Sequence, residues 1–102
     1  MSGEKFRDGR ICNSTGSTTL GRINGDRICN STGSTTLGRV KDDRICNSTG
    51  STTLGRVKGD RVYNSTGSTT IGRVSDFAIQ GMEQESPVMM VAAYHFLIKN
   101  IF

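Results

Sequence analysis

The chain predicts a mainly β fold, a closed ring of about five β-hairpins built from 17-residue repeats, completed by one apolar C-terminal α-helix. Three observations predict it. Four near-identical 17-residue units fill residues 9–76. Each unit holds two β-branched runs separated by Gly-centred turns. Residues 88–102, VMMVAAYHFLIKNIF, then carry twelve apolar side chains in fifteen behind a helix-start signal.

The repeats occupy 9–25, 26–42, 43–59 and 60–76, and the second and third differ at one position. Within a unit, Arg-Ile-Cys-Asn leads into Ser-Thr-Gly-Ser, and Thr-Thr-Leu-Gly-Arg-Val leads to a Gly-Asp or Asp-Asp pair. Gly16, Gly33, Gly50 and Gly67 supply a positive φ at each hairpin tip, and Gly25 and Gly59 at two of the returns. A helix is excluded by composition, because two Gly and five Ser/Thr in 17 residues cost several kcal/mol relative to Ala. The apolar positions Ile11, Leu20 and Ile23 predict an antiparallel meander. Ile23 pairs with Ile28 across Gly25-Asp26, and Ile11 pairs with Leu20 across Thr15-Gly16. Leu20 and Ile23 lie three apart and so face opposite sides of a flat strand, which places a bulge or bend at Gly21, Gly38, Gly55 and Gly72.

The flanks extend the pattern. Phe6 precedes Ile11 as Ile23 precedes Ile28, and Ile79 follows Val74 at the same interval. Half repeats near Phe6 and Ile79 then complete a fifth hairpin, giving ten strands and removing the exposed edges of an open meander.

The motif Ile11-Cys12-Asn13-Ser14, Gly16, Thr19-Leu20-Gly21-Arg22-Ile23 and its copies, with Ala92-Ala93-Tyr94 near the end, resembles the small bacterial five-fold β-flower proteins. The resemblance runs from Phe6 to about Phe96. It implies the ring architecture and no established activity, so it transfers no catalytic residue.

Twelve Ile, Leu and Val in 68 repeat residues make a thin core. The C-terminus supplies the missing apolar surface. Ser86 reads as N-cap and Pro87 as the first helical residue, with Glu83 and Glu85 at the favourable end of the dipole, for a helix from Pro87 to Lys99. This divides the chain into a repeat domain, 1–82, and a helical segment, 83–102. The helix packs on the same domain or in an oligomer interface, where Val88, Val91, Tyr94, Phe96, Leu97 and Ile98 are the candidate contacts. A membrane role is disfavoured, since the segment is shorter than the ~20 residues that span a bilayer and has no charged face.

Thirteen basic and nine acidic residues give a net charge of +4. Cys12, Cys29 and Cys46 recur every 17 residues with Tyr63 at the fourth position. That spacing fits neither a metal clip nor a closed disulfide framework; a surface or interface position is expected because Tyr fits the same place. Reduced thiols and an N-terminus, MSGEKFRDGR, without an apolar core predict a cytoplasmic location. Asn13, Asn30, Asn47 and Asn64 form Asn-Ser-Thr glycosylation sequons but read as turn residues.

Catalysis needs unlike groups in one asymmetric pocket, whereas these repeats present like groups around an axis. His95, the single imidazole, sits in an apolar helix and reads as a packed residue. The chain therefore reads as a non-enzymatic structural or protein-interaction module, without metal or other cofactor, that associates with itself. A second reading is a module for a small anion or phosphate, using Arg22, Arg39, Arg56 and Arg73, which lack the neighbouring Asp that precedes Arg27, Arg44 and Arg61. Nucleic acid is disfavoured as a partner, because Tyr63 is the only repeat-borne aromatic available for stacking.

Overall fold

The computed structural model describes residues 4–82 and 85–102. The sequence-predicted dipole role of Glu83 lies outside them. Nine antiparallel strands follow one another in a single sheet: β1 (Lys5–Arg7), β2 (Arg10–Cys12), β3 (Thr19–Asn24), β4 (Arg27–Cys29), β5 (Thr36–Lys41), β6 (Arg44–Cys46), β7 (Thr53–Lys58), β8 (Arg61–Asn64) and β9 (Thr70–Arg73). A 3-10 turn, Val74–Phe77, and one helix, α1 (Pro87–Leu97), complete the described elements.

The register follows the apolar pattern. Phe6 pairs with Ile11, Ile23 with Ile28, Val40 with Ile45 and Val57 with Val62. These pairs point to one face of the sheet, where Ile11, Ile28, Ile45 and Val62 are fully buried. One pairing differs from the sequence reading. Ile11 stands opposite Gly21 and Cys12 opposite Thr19, so the bulge falls on Leu20 itself. The same shift recurs at Ile28, Ile45 and Val62. The irregularity swings Leu20 out of register and leaves Gly21 and Ile23, two apart, on the inner face.

The reason is α1 and its tail, which use the glycine positions as notches. A Cβ at Gly21 would overlap the Leu97 side chain, one at Gly38 the Phe96 ring, and one at Gly55 the Phe102 ring. At Gly72 the Phe77 ring stands 3.2 Å from the same position. Gly21, Gly38 and Gly55 have no positive φ. They are glycine because another chain segment approaches, rather than for backbone freedom.

Ser86 caps α1, its Oγ accepting the Met89 N–H at 3.3 Å, and Pro87 takes the first helical position. The helix ends at Leu97, two residues before the predicted Lys99, and the chain then turns back so that the Ile101 N–H reaches His95. Val91, Ala92 and Ala93 are fully buried, and the helix lies against β3 to β7.

The ladder does not close into the predicted ring of ten strands. The tenth strand is replaced by the 3-10 turn: Asp76, at the repeat position of Gly25 (63°), Asp42 (54°) and Gly59 (61°), does not take up their positive φ, and Phe77-Ala78 follows where the other returns have Asp-Arg. Instead the Arg73 N–H donates to Asp76 Oδ2 at 3.0 Å. The chain ends still meet. An isolated bridge of parallel sense joins Lys5 to Gln80. The Phe6 N–H donates to the Gln80 carbonyl at 2.6 Å, and the Gln80 N–H to the Glu4 carbonyl at 3.1 Å. Gly81, at φ 89°, lies so close to the Phe6 carbonyl that a Cβ would overlap it.

Candidate functional site

Three sets of repeated groups are candidates for chemistry: the tips, the outer-face cations and the cysteines. At each tip an asparagine ties the loop. Asn30 Oδ1 accepts the Ser34 N–H at 3.0 Å, the Thr35 N–H at 3.3 Å and the Thr32 hydroxyl at 3.1 Å. The Thr32 and Ser34 hydroxyls lie 2.8 Å apart. Asn13, Asn47 and Asn64 repeat the arrangement. The tip hydroxyls thus bond one another and the backbone, which is what a short polar loop without a core requires.

The inward alternation of Phe6, Ile11, Gly21, Ile23 and their equivalents turns their neighbours outward. Every Lys and Arg of the chain except Lys99 therefore lies on the outer face of the sheet. Within it the two arginine sets differ. Arg22, Arg39 and Arg56 donate their Nε–H to the carbonyls of Ser31 (2.9 Å), Ser48 (2.7 Å) and Ser65 (2.9 Å), bracing the next tip. Arg73, the fourth of that set, is exposed at the end of the array, where no further tip follows. The bracing bonds do not involve Arg10, Arg27, Arg44 or Arg61, which stand directly opposite Arg22, Arg39, Arg56 and Arg73.

Cys12, Cys29 and Cys46 are free but buried, at 5%, 3% and 2% exposure, and not on the surface as the sequence reading had them. At Cys29 and Cys46 the neighbour is the arginine brace, whereas Cys12 stands opposite Lys5 of β1. Arg22 stands opposite Cys29 and Arg39 opposite Cys46, and each stem runs on beside its thiol toward the following tip. Arg22 Cδ comes within 3.2 Å of where a Cβ on Gly33 would be. Tyr63, opposite Arg56, is half-buried and so reaches outward where Cys does not. Among the described residues no three Cys, His, Asp or Glu side chains converge as a metal-binding group.

The six residues named as oligomer contacts all join the chain's own core. Val88 and Val91 are buried, and Tyr94, Phe96, Leu97 and Ile98 are partly buried against it. No helix of the described residues is long and apolar enough to cross a membrane. A family comparison matches residues 3–97 to the 5-fold beta-flower proteins. The chain belongs to this family. The flower's four full repeats and their half-repeat flanks fall inside the matched span. No curated protein and no solved structure matches the chain.

Inside the flower, His95 is the one chemically versatile group. Its Nδ1 accepts the Ile101 N–H at 3.0 Å, and the rings of Phe96 and Phe102 lie 4.6 and 4.8 Å away. Burial lowers its pKa below the ordinary 6.5, since the charged form loses water. The folded flower therefore favours the neutral imidazole, while the unfolded chain takes up a proton near 6.5. This stabilisation is complete above 6.5 and is lost as pH falls through 6.5 toward the lower folded-state value. Thermal unfolding between about pH 5 and 8 is expected to show a melting temperature that declines below the midpoint of an ordinary His. His95→Gln is expected to flatten that limb; an unchanged slope in the variant would assign the pH dependence to other groups.

Sequence reasoning missed two functions of repeated residues. The notch role of Gly21, Gly38 and Gly55 was visible only as a Gly between two inward positions. The brace formed by Arg22, Arg39 and Arg56 had no sequence signal, because its acceptors are backbone carbonyls nine residues away.

Proposed function

We propose that the flower is a non-enzymatic structural and protein-interaction module, a closed set of five petals around its own helix. The observation that carries this reading is the use of its reactive groups in architecture. Tip hydroxyls bond within the tip, the thiols are buried, and the single imidazole accepts a backbone N–H. The Lys5–Gln80 bridge supports closure through the two half repeats. Self-association through the partly buried remainder of α1, at Tyr94 and Ile98, belongs to the same proposal.

The test is a turnover assay across hydrolase and group-transfer substrates, run on wild type, His95→Gln and a triple Cys→Ser variant. The expected result is no turnover in any of the three. A rate in the wild type that either variant abolishes would overturn the reading.

A further inference from the structure

The outer face carries a continuous belt of cations, of which Arg22, Arg39 and Arg56 are the ones that brace the tips. Arg7 lies opposite Arg10 and Arg10 opposite Arg22. Two residues along β3, Asn24 opens the next row, opposite Arg27, which is opposite Arg39. Lys41, Arg44 and Arg56 form the third row, and Lys58, Arg61 and Arg73 the fourth. Successive members are cross-strand neighbours, ~5 Å apart, or next-but-one neighbours along a strand, ~7 Å apart. Like charges in direct cross-strand opposition are destabilising. The repeats reproduce that opposition four times, so a counter-anion relieves the same repulsion at each petal. The nearest carboxylates in sequence, Asp8, Asp26, Asp42, Asp43 and Asp60, sit in the returns at one margin of the belt, fewer than its eleven cations.

We propose that this belt binds an unbranched phosphate polymer, with inorganic polyphosphate as the occupant. Three features favour that chemistry. Gln80, seven residues past the end of β9, bridges Lys5 on β1, so the nine-strand sheet curls with α1 on its inner side and its outer face is convex. A flexible chain follows such a face, whereas a rigid duplex or a flat bilayer touches it along one line. Each row groups two or three cations, which suits a phosphate with several acceptor oxygens better than a carboxylate. Among the described residues Tyr63 is the only aromatic on this face, so there is no platform on which successive bases would stack. The proposal goes beyond the reading of the flower as a non-enzymatic module. The turnover assay decides that reading and a titration decides the partner, so the two fail separately.

The titration uses the full chain and medium-length inorganic polyphosphate, with poly-dT, polyglutamate and phosphatidylserine vesicles as the competing arms. Binding is expected to weaken on the order of a hundredfold or more between about 50 and 200 mM salt. The substitutions are Arg27→Gln, Arg44→Gln and Arg61→Gln together, chosen because those side chains lie outside the bracing bonds. They are expected to lower the magnitude of the log–log salt slope by about 2 while leaving the melting temperature within a few degrees. Should this variant unfold, Lys41→Gln with Lys58→Gln, at exposed strand ends, is expected to lower it by about 1.4. No retention of polyphosphate at low salt overturns the proposal. So does an unchanged slope in a folded variant, or tighter binding of poly-dT, polyglutamate or vesicles than of polyphosphate.

Discussion

Deleting residues 87–102 is expected to leave a chain that is unfolded or aggregated. Among the described residues, α1 and its tail are what covers the inner face from β3 to β7. Ile11, Ile28, Ile45 and Val62 are fully buried, and the helix that lies across β3 to β7 contributes Val88, Met89, Val91, Ala92 and Ala93 to the same core. At roughly 1.5–3 kcal/mol for each large apolar side chain returned to water, the loss exceeds the whole stability of a domain this small. Loss of amide dispersion in an NMR spectrum, or a non-cooperative melt, is the expected readout. A soluble remnant of residues 1–86 with a cooperative transition would show that the repeats stand without their plug.

The second large effect is local. Gly38→Ala places a methyl group inside the van der Waals envelope of the Phe96 ring, on a face with no room to move outward because β5 is paired on both sides. Overpacking of this kind costs about 1–3 kcal/mol, read as a lower urea midpoint at unchanged m. Two comparisons make the result specific. Gly72→Ala meets Phe77 at 3.2 Å, with β9 at the end of the array, and is expected to cost clearly less. Phe96→Leu placed behind Gly38→Ala is expected to recover part of the loss, since residues in contact are not additive. Equal costs at Gly38 and Gly72, with no recovery, would remove the notch from the account.

Much of this was legible because a 17-residue period leaves few free choices. The period fixed the hairpins, and the returns fixed the Ile23–Ile28 register, which the structure reproduces. Ser86-Pro87 marked the start of α1 to the residue. The departures share one cause, which is tertiary contact outside the repeat. Gly21 was read as a local bend, but its lack of a side chain answers to Leu97, a residue 76 positions away. The cysteines were placed at the surface or an interface because Tyr63 shares their position, whereas all three are buried, two of them opposite an arginine held by a backbone carbonyl. The expected tenth strand failed where the repeat itself fails, at Phe77-Ala78, and the chain ends met in a parallel bridge in place of a hairpin. Of the two arginine sets, the lack of a preceding Asp singled out Arg22, Arg39, Arg56 and Arg73. The bonds in the structure commit three of those four to the fold and leave their cross-strand partners outside the brace.

The fold depends most on the helix and tail of each chain seating in that chain's own glycine notches. The direct measurement is an isotope-filtered NOE experiment on an equal mixture of fully labelled and unlabelled protein, refolded together. The account predicts contacts from the Phe96 ring to Gly38 Hα, and from the Phe102 ring to Gly55 Hα, only within labelled chains, with both Hα signals displaced by the ring currents. The same contacts appearing between labelled and unlabelled chains, or undisplaced Hα signals, would contradict it.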